Sequence, residues 1–445
     1  MKKILLFSLA AALVVAMTMP AAAKTELKVS GEAYYRGFSL TNVGAAVDTS
    51  DAVTQAFMDM GMMVNMKFQV NPALAFSTRI EALQKKWGRE EVDPQATTNA
   101  LSGAAQPNTA RVTVAKMEIA LPWGWWRFGR YQAAPAYLWG TGRSKVGAPR
   151  TWDEQSEWMV GGERDRIIFA RGAAYGQPSM GPWSIMLLYG KIFEGDSDAT
   201  ALGGVDSDYD LYWMKNTYKW KGGGIALITY LTRNYYSSDL ATYELNEDKY
   251  KVEVNAGQKF GPMTVAANVT RFFGTRKTYA LGTKTELNSQ AIKAMEYSFA
   301  VEYKKGPVLT GFGYYHTDGQ DTSNDLTVGC SAGSNFQPLY AAFGNYDGLL
   351  FNTRNLNLIT AFLDYSLTSK IILHFAGGYI TADEVAAGAS KKLGWEVDGG
   401  LAYTIVKGLT LGLHVGYFMP QDGWEDMFGA KGNHTHIDGE LRLVF

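Results

Sequence analysis

Seven arginines crowd one stretch of the chain, at Arg127, Arg130, Arg143, Arg150, Arg164, Arg166 and Arg171. Five carboxylates are interleaved with them, Asp153, Glu154, Glu157, Glu163 and Asp165, together with Trp139, Trp152 and Trp158. A guanidinium is a permanent positive charge whose planar donor fork suits carboxylates and phosphates. Charges of opposite sign facing one another across a narrow aqueous path set a field along it, and aromatic faces beside them suit sugar rings. The stretch 134–163 reads in two ways. It is a segment folded into a lumen, where it would set selectivity, or an outer loop whose surface ion pairs contribute little.

Histidine and aspartate offer a second kind of chemistry. His434 and His436 stand two apart, so on a strand they share a face, and with Asp438 they could ligate a metal. The plainer expectation is a set of polar residues facing water near a rim. His374 and His414 also fall on the polar side of their segments and are expected in water. Asp196-Ser197-Asp198 and Asp206-Ser207-Asp208-Tyr209-Asp210 have oxygen ligands at a spacing that suits calcium in a loop, but neither completes a helix-loop-helix calcium pattern. Solvated acidic loop tips are the simpler reading. There is no His-Glu-x-x-His zinc helix and no Gly-x-x-x-x-Gly-Lys phosphate loop, and the chain is read as a non-enzyme without a cofactor.

The elements that would position these side chains are strands. Tyr250-Lys251-Val252-Glu253-Val254-Asn255-Ala256-Gly257 alternates apolar and polar residues, as do Tyr297 to Lys304 and Trp395 to Tyr403. Each segment has one apolar or aromatic face and one charged, polar or small face. Arg79 and Glu81 share the polar face of one strand, and Lys251, Glu253, Asn255 and Lys259 that of another. Glu296, Glu302 and Lys304 do so on a third, Glu396 and Asp398 on a fourth. If the apolar faces meet lipid, a charge among them would cost a few kcal/mol at mid-membrane, so the charged faces must point to a lumen. The expected pore-lining set is Arg79, Glu81, Arg127, Arg130, Arg164, Arg166, Lys251, Glu253, Glu296, Glu302, Glu396 and Asp398. Its mixed signs predict a hydrated pore with weak ion preference.

The joints alternate in length. Tight turns fall at Asn71-Pro72, Pro122-Trp123, Lys221-Gly222-Gly223, Gly261-Pro262, Gly306-Pro307, Ser369-Lys370 and Lys407-Gly408, with a longer one from Gly176 to Pro182. Between them run long polar segments at 41–55, 88–108, 134–163, 195–207, 237–246, 277–289, 319–353, 384–390 and 421–433. Nine long loops alternating with eight short turns predict an all-β fold, a transmembrane antiparallel β-barrel of about eighteen strands with short periplasmic turns and long extracellular loops. About sixteen is the alternative, because the segments near 124–133 and 164–174 alternate least cleanly. Closure follows from the solvent, since lipid offers no hydrogen bonds and an open edge would stay unsatisfied. The last segment, His436 to Phe445, alternates cleanly and ends in an aromatic residue. That ending resembles the signal read by the machinery that assembles bacterial outer-membrane barrels. Trp123, Trp125 and Trp126, Tyr218 and Trp220, and Tyr235 and Tyr236 are expected in interfacial girdles.

Composition agrees. Met1-Lys2-Lys3, the apolar run Ile4 to Met19 and Ala21-Ala22-Ala23 read as a signal peptide, residues 1–23, removed after about Ala23. Residues 24–445 then form a single barrel domain, with 40 basic and 43 acidic residues, a net charge of −3. That balance speaks against nucleic acid as a partner. The lone Cys330 leaves no intramolecular disulfide, and its place in the longest loop predicts a thiol reachable from outside the cell. The 25 Tyr, 21 Phe, 12 Trp and 48 Gly, without a later apolar run of helix length, fit a membrane that is crossed by strands.

The stretch Leu393-Gly394-Trp395-Glu396-Val397-Asp398, then Tyr403, Leu409-Thr410-Leu411 and Gly416-Tyr417-Phe418-Met419-Pro420-Gln421-Asp422, resembles the C-terminal part of alginate-export-type outer-membrane channels. The resemblance implies an 18-stranded barrel and a solute channel. The leading functional expectation is a porin for passive diffusion of small hydrophilic solutes through the outer membrane. The alternatives are a dedicated channel for anionic sugars or for polysaccharide export, and a structural sleeve around a periplasmic or cytochrome partner. The chain has no Cys-x-x-Cys-His, so any haem in such a sleeve would belong to the partner. Monomer and homotrimer both stay open.

Overall fold

The computed structural model describes residues 26–41, 54–87, 111–122, 124–131, 139–140, 170–194, 206–237, 243–280, 285–319, 336–337, 355–428 and 432–445. The alternating segments form the strands β1 (Glu26–Thr41), β2 (Thr54–Asn71), β3 (Leu74–Trp87), β4 (Arg111–Leu121), β5 (Gly124–Tyr131), β6 (Ala170–Met180), β7 (Trp183–Glu194), β8 (Asp206–Trp220) and β9 (Gly223–Ser237). They continue as β10 (Tyr243–Phe260), β11 (Met263–Ala280), β12 (Glu286–Lys305), β13 (Val308–Thr317), β14 (Leu356–Ser366), β15 (Ile371–Ala382), β16 (Lys392–Val406), β17 (Leu409–Pro420) and β18 (His434–Val444). Each pairs antiparallel with its neighbours in sequence, and β18 returns to β1, closing one 18-stranded sheet. The eighteen-strand count therefore holds over sixteen. A parallel pairing of Phe336–Gln337 with Trp139–Gly140 stands outside the barrel sheet.

Closure uses the terminal residue itself. The register from Glu32↔Val444 to Thr41↔Thr435 is extended by paired backbone bonds, Gly31 N to Phe445 O at 2.8 Å and Phe445 N to Gly31 O at 3.0 Å. The tight turns fall at the expected Gly-Pro and Lys-Gly pairs, where Gly261 and Gly306 take φ of 59° and 57°, values that disfavour residues bearing a Cβ. One turn is tighter than expected. β6 runs through Gly176 to Met180, and the chain reverses at Gly181-Pro182, because strand pairing with β7 continues down to Met180↔Trp183.

The two faces of the wall are inverted relative to a soluble protein. Phe375 is 53% exposed beside His374 at 0%, Leu413 is 49% exposed beside His414 at 1%, and Ile437 is 46% exposed beside Asp438 at 2%. In a closed barrel successive side chains point out and in, so the outside is apolar and the inside polar. Such a surface is stable against hydrocarbon, and no helix among the described residues is long and apolar enough to cross a membrane. At the loop end the inside turns apolar. Leu356, Leu358, Ile380, Ala382, Leu393 and Phe418 form a buried cluster there with Trp424. Trp424 belongs to a short helix, α1 (Asp422–Phe428), within the segment expected as an open loop at 421–433. Its ring meets Phe418 edge-on at 4.9 Å, and Ser390 N donates to Asp426 Oδ2 at 2.7 Å, so the helix is folded onto the barrel mouth.

Candidate functional site: the inner wall

Strand register decides which polar side chains meet. In the arc β14–β18, one row of directly opposed residues runs Asp364, His374, Gly400, His414, Asp438. His374 Nδ1 is hydrogen-bonded to Asp364 Oδ1, and His414 Nδ1 lies 2.9 Å from Asp438 Oδ1. The second oxygen of Asp438 lies 3.0 Å from His436 Nε2. Gly400 sits between the two imidazoles, and a Cβ there would stand 2.9 Å from the His414 ring. A side chain at this position would therefore press on the His414 ring, while the His374 Cβ stays at ordinary contact distance, 3.5 Å. At the closing seam Arg36 Nε lies 3.7 Å from Glu440 Oε2, and Arg442 Nε lies 3.0 Å from Glu440 Oε1. His374 and His414 are thus buried rather than water-exposed as expected. Burying an imidazole without a partner is costly, and here a carboxylate stands opposite each.

The arc β2–β5 is built differently. Glu118 of β4 gathers Lys67 Nζ at 3.0 Å, Lys116 Nζ at 3.3 Å and Arg127 Nε at 3.3 Å, and Ser77 Oγ donates to it at 3.2 Å. The Arg127 guanidinium lies 4.0 Å over the Trp125 ring. Trp125 therefore belongs to the inner face and not to the interfacial girdle expected of it. Arg79 Nε donates to Asn65 Oδ1 at 2.8 Å. These groups are part-buried, and three cations converge on one carboxylate.

Between the arcs, Lys251 and Glu253 of β10 form an ion pair, and Asn255 Nδ2 and Asn268 Nδ2 donate to Glu253 Oε1 at 2.6 and 3.1 Å. Glu296 lies in the same cross-strand row, through Thr270, and Lys251 also stands 5.5 Å from the Tyr230 ring. Lys251, Glu253, Glu296, Glu302, Glu396 and Asp398 all lie on the inner face and are all buried there, which places them among one another rather than in open water. Among the described residues the buried inner charges are mostly acidic. Glu247, Glu253, Glu296, Glu302, Asp364, Glu396, Asp398, Asp438 and Glu440 stand against Arg36, Lys215 and Lys251.

Arg79 and Arg127 lie on the inner faces of β3 and β5. Glu81 and Arg130 lie in β3 and β5, opposite Arg111 and Ala115, with side chains outside the described residues. Arg164 and Arg166 lie outside them altogether, as do the signal segment, Cys330 and the stretch 141–169. So does Gly329-Cys330-Ser331-Ala332-Gly333, which has the Gly-x-Ser-x-Gly spacing of a hydrolase elbow, a motif whose chemistry requires a strand-to-helix turn. Asp206 to Asp210 open β8 instead of forming a calcium loop, and Asp210 accepts from Tyr189 at 3.2 Å. Sequence reasoning missed Lys67, Lys116, Glu118, Arg36, Asp364 and Glu440. The alternation Ala115-Lys116-Met117-Glu118-Ile119 carried the signal for two of them.

A closed antiparallel barrel with an apolar belt outside and charges inside is the architecture of bacterial outer-membrane channels. No family model matches the chain, and no curated protein is similar to it in sequence. Solved structures are similar in fold. OprD of Pseudomonas aeruginosa shares 11% identity over 96% of each chain, with a TM-score of 0.54. OccAB1 of Acinetobacter baumannii shares 12%, over 96% of this chain and 99% of that one, also at 0.54. Pseudomonas aeruginosa OccK2 (OpdF), solved with glucuronate, shares 10% over 94% and 98%, at 0.52. At these identities the likeness is one of fold. The alginate-export-type resemblance of residues 393–422 finds no support in these comparisons. Those residues form β16 and β17, and the barrel alternation they carry is general to outer-membrane porins.

Proposed function

We propose that the protein is an integral outer-membrane channel through which small hydrophilic solutes diffuse passively. Residues 1–23 would be removed on export, and assembly would be guided by the strand ending in Phe445. The observation that carries the reading is the inversion of the closed 18-stranded wall, apolar outside and charged inside. A barrel of this size encloses an aqueous channel or a filled lumen. The structural neighbours are outer-membrane channels, which supports the first.

A narrower reading, a channel for anionic sugars, is favoured by the Glu118 cluster. Lys67, Lys116 and Arg127 leave net positive charge around one carboxylate, and Trp125 beneath Arg127 offers an aromatic face. The OccK2 structure with glucuronate supports this class of solute. One experiment covers both readings, conductance of the purified mature protein in a planar bilayer with a salt gradient. Steady steps establish a channel, and their block by millimolar glucuronate, relieved in Arg127→Ala, supports the sugar reading. Silence from folded protein overturns the channel.

A further inference from the structure

One titratable cluster lies outside the lumen. His316 is the penultimate residue of β13 and stands directly opposite Asn357 of β14. It shares the outward face with Phe312, and Asn357 shares that face with Ile359, both of which are exposed. Asp318 follows the end of β13, and Asp383 follows the end of β15. His316 Nε2 lies 3.1 Å from Asp318 Oδ1, and Asp383 Oδ1 is 4.0 Å from the other ring nitrogen. One donor atom from each of the three residues falls within 4.8 Å of the others.

The surroundings aim these atoms. Met295 N donates to Asp318 Oδ2 at 2.6 Å, and Gly319 N donates to Asp383 Oδ2 at 2.9 Å, so in each carboxylate Oδ1 is left for the imidazole side. Asn357 Oδ1 accepts from Tyr314 Oη at 2.8 Å and lies 2.8 Å from His316 Nδ1. An amide oxygen has no proton to give, so Nδ1 carries a hydrogen, and the 3.1 Å between Nε2 and Asp318 Oδ1 is bridged either by a second ring proton or by a cation. An amide oxygen holding the far ring N–H is also the outer partner that metal-bound histidines use to fix tautomer and orientation.

We infer that the loop end of the barrel carries, on its outer side, a site for a divalent zinc-class ion ligated by His316 Nε2, Asp318 and Asp383. Bonds of about 2.0–2.2 Å to nitrogen and oxygen set ligand atoms about 3.3 Å apart in a tetrahedron; the His316–Asp318 spacing is already close to this, Asp383 would have to draw in, and water takes the fourth position. An imidazole in the set selects the zinc series over magnesium and calcium, which prefer oxygen throughout. The ion would bind the ends of β13 and β15 to each other across the start of β14. It occupies the outer side of the wall, so the site stands or falls independently of the channel reading.

The test is calorimetric titration of chelator-stripped, folded protein in detergent with zinc chloride, beside Asp383→Asn and His316→Gln. Expected are one ion per barrel in the wild type, at least tenfold weaker binding in both variants, and a zinc-dependent rise in melting temperature in the wild type alone. Heat-modified gel mobility verifies that each variant is folded. Should His316→Gln not fold, Asp383→Asn decides, because an asparagine oxygen still accepts from Gly319. Absence of saturable binding by the wild type overturns the site. Undiminished binding by the folded variants overturns it too, and assigns the ion to another cluster, such as His414, Asp438 and His436.

Discussion

The arcs β14–β18 and β2–β5 obey the same two-residue alternation and use it to opposite ends. In the first, His374 and His414 each stand opposite a carboxylate on the adjacent strand, in a row from Asp364 to Asp438 that passes through five strands. In the second, three cations converge on Glu118. Charges matched one to one across neighbouring strands can be buried and make a filled wall. Charges left in excess keep contact with water, and they are the ones a passing solute can feel.

The largest expected effect comes from breaking the filled arc. Asp438→Ala removes the carboxylate shared by His414 and His436 and should cost about 3–5 kcal/mol, read from the urea midpoint of protein folded into lipid vesicles. Glu118→Ala, in the part-exposed arc, should cost under about 1 kcal/mol. Equal costs would dissolve the distinction between the arcs. Next in size is Leu413→Lys, which places a charge on the outer face one residue from His414. It should cost about 2–4 kcal/mol in the same assay, and a neutral result would mean that this face does not meet hydrocarbon. The smallest effect on stability sharpens the comparison most. Glu118→Gln should move the reversal potential towards anion preference, because three cations lose their only counter-charge among these contacts. Asp438→Asn should leave that potential in place, and a shift of equal size there would assign solute contact to both arcs.

Much of this architecture was legible beforehand because the barrel's constraints are local. Alternation gives the strands, Gly-Pro and Lys-Gly pairs give the turns, and the polar side of Tyr250–Gly257 or Trp395–Tyr403 gives the inner face. What was misjudged involved partners distant in sequence. His374 and His414 were expected in water, since nothing near them in the chain shows that Asp364 and Asp438 stand opposite. Trp125 departs from the girdle because its strand turns it inward beneath Arg127, whose own partner Glu118 is on the neighbouring strand. The seam at Phe445 was readable as a strand, whereas its partner Gly31 lies at the far end of the chain.

The sequence alone determined that the chain crosses a membrane as a closed sheet of alternating strands. Period-two patterning and turn chemistry act over a few residues, and lipid admits no open edge. Only the tertiary structure decided which charges neutralise one another, where Trp424 folds into the mouth, and that His316, Asp318 and Asp383 converge on the outside. Those outcomes depend on register between strands, and a shift of a single residue would exchange every inward side chain for an outward one.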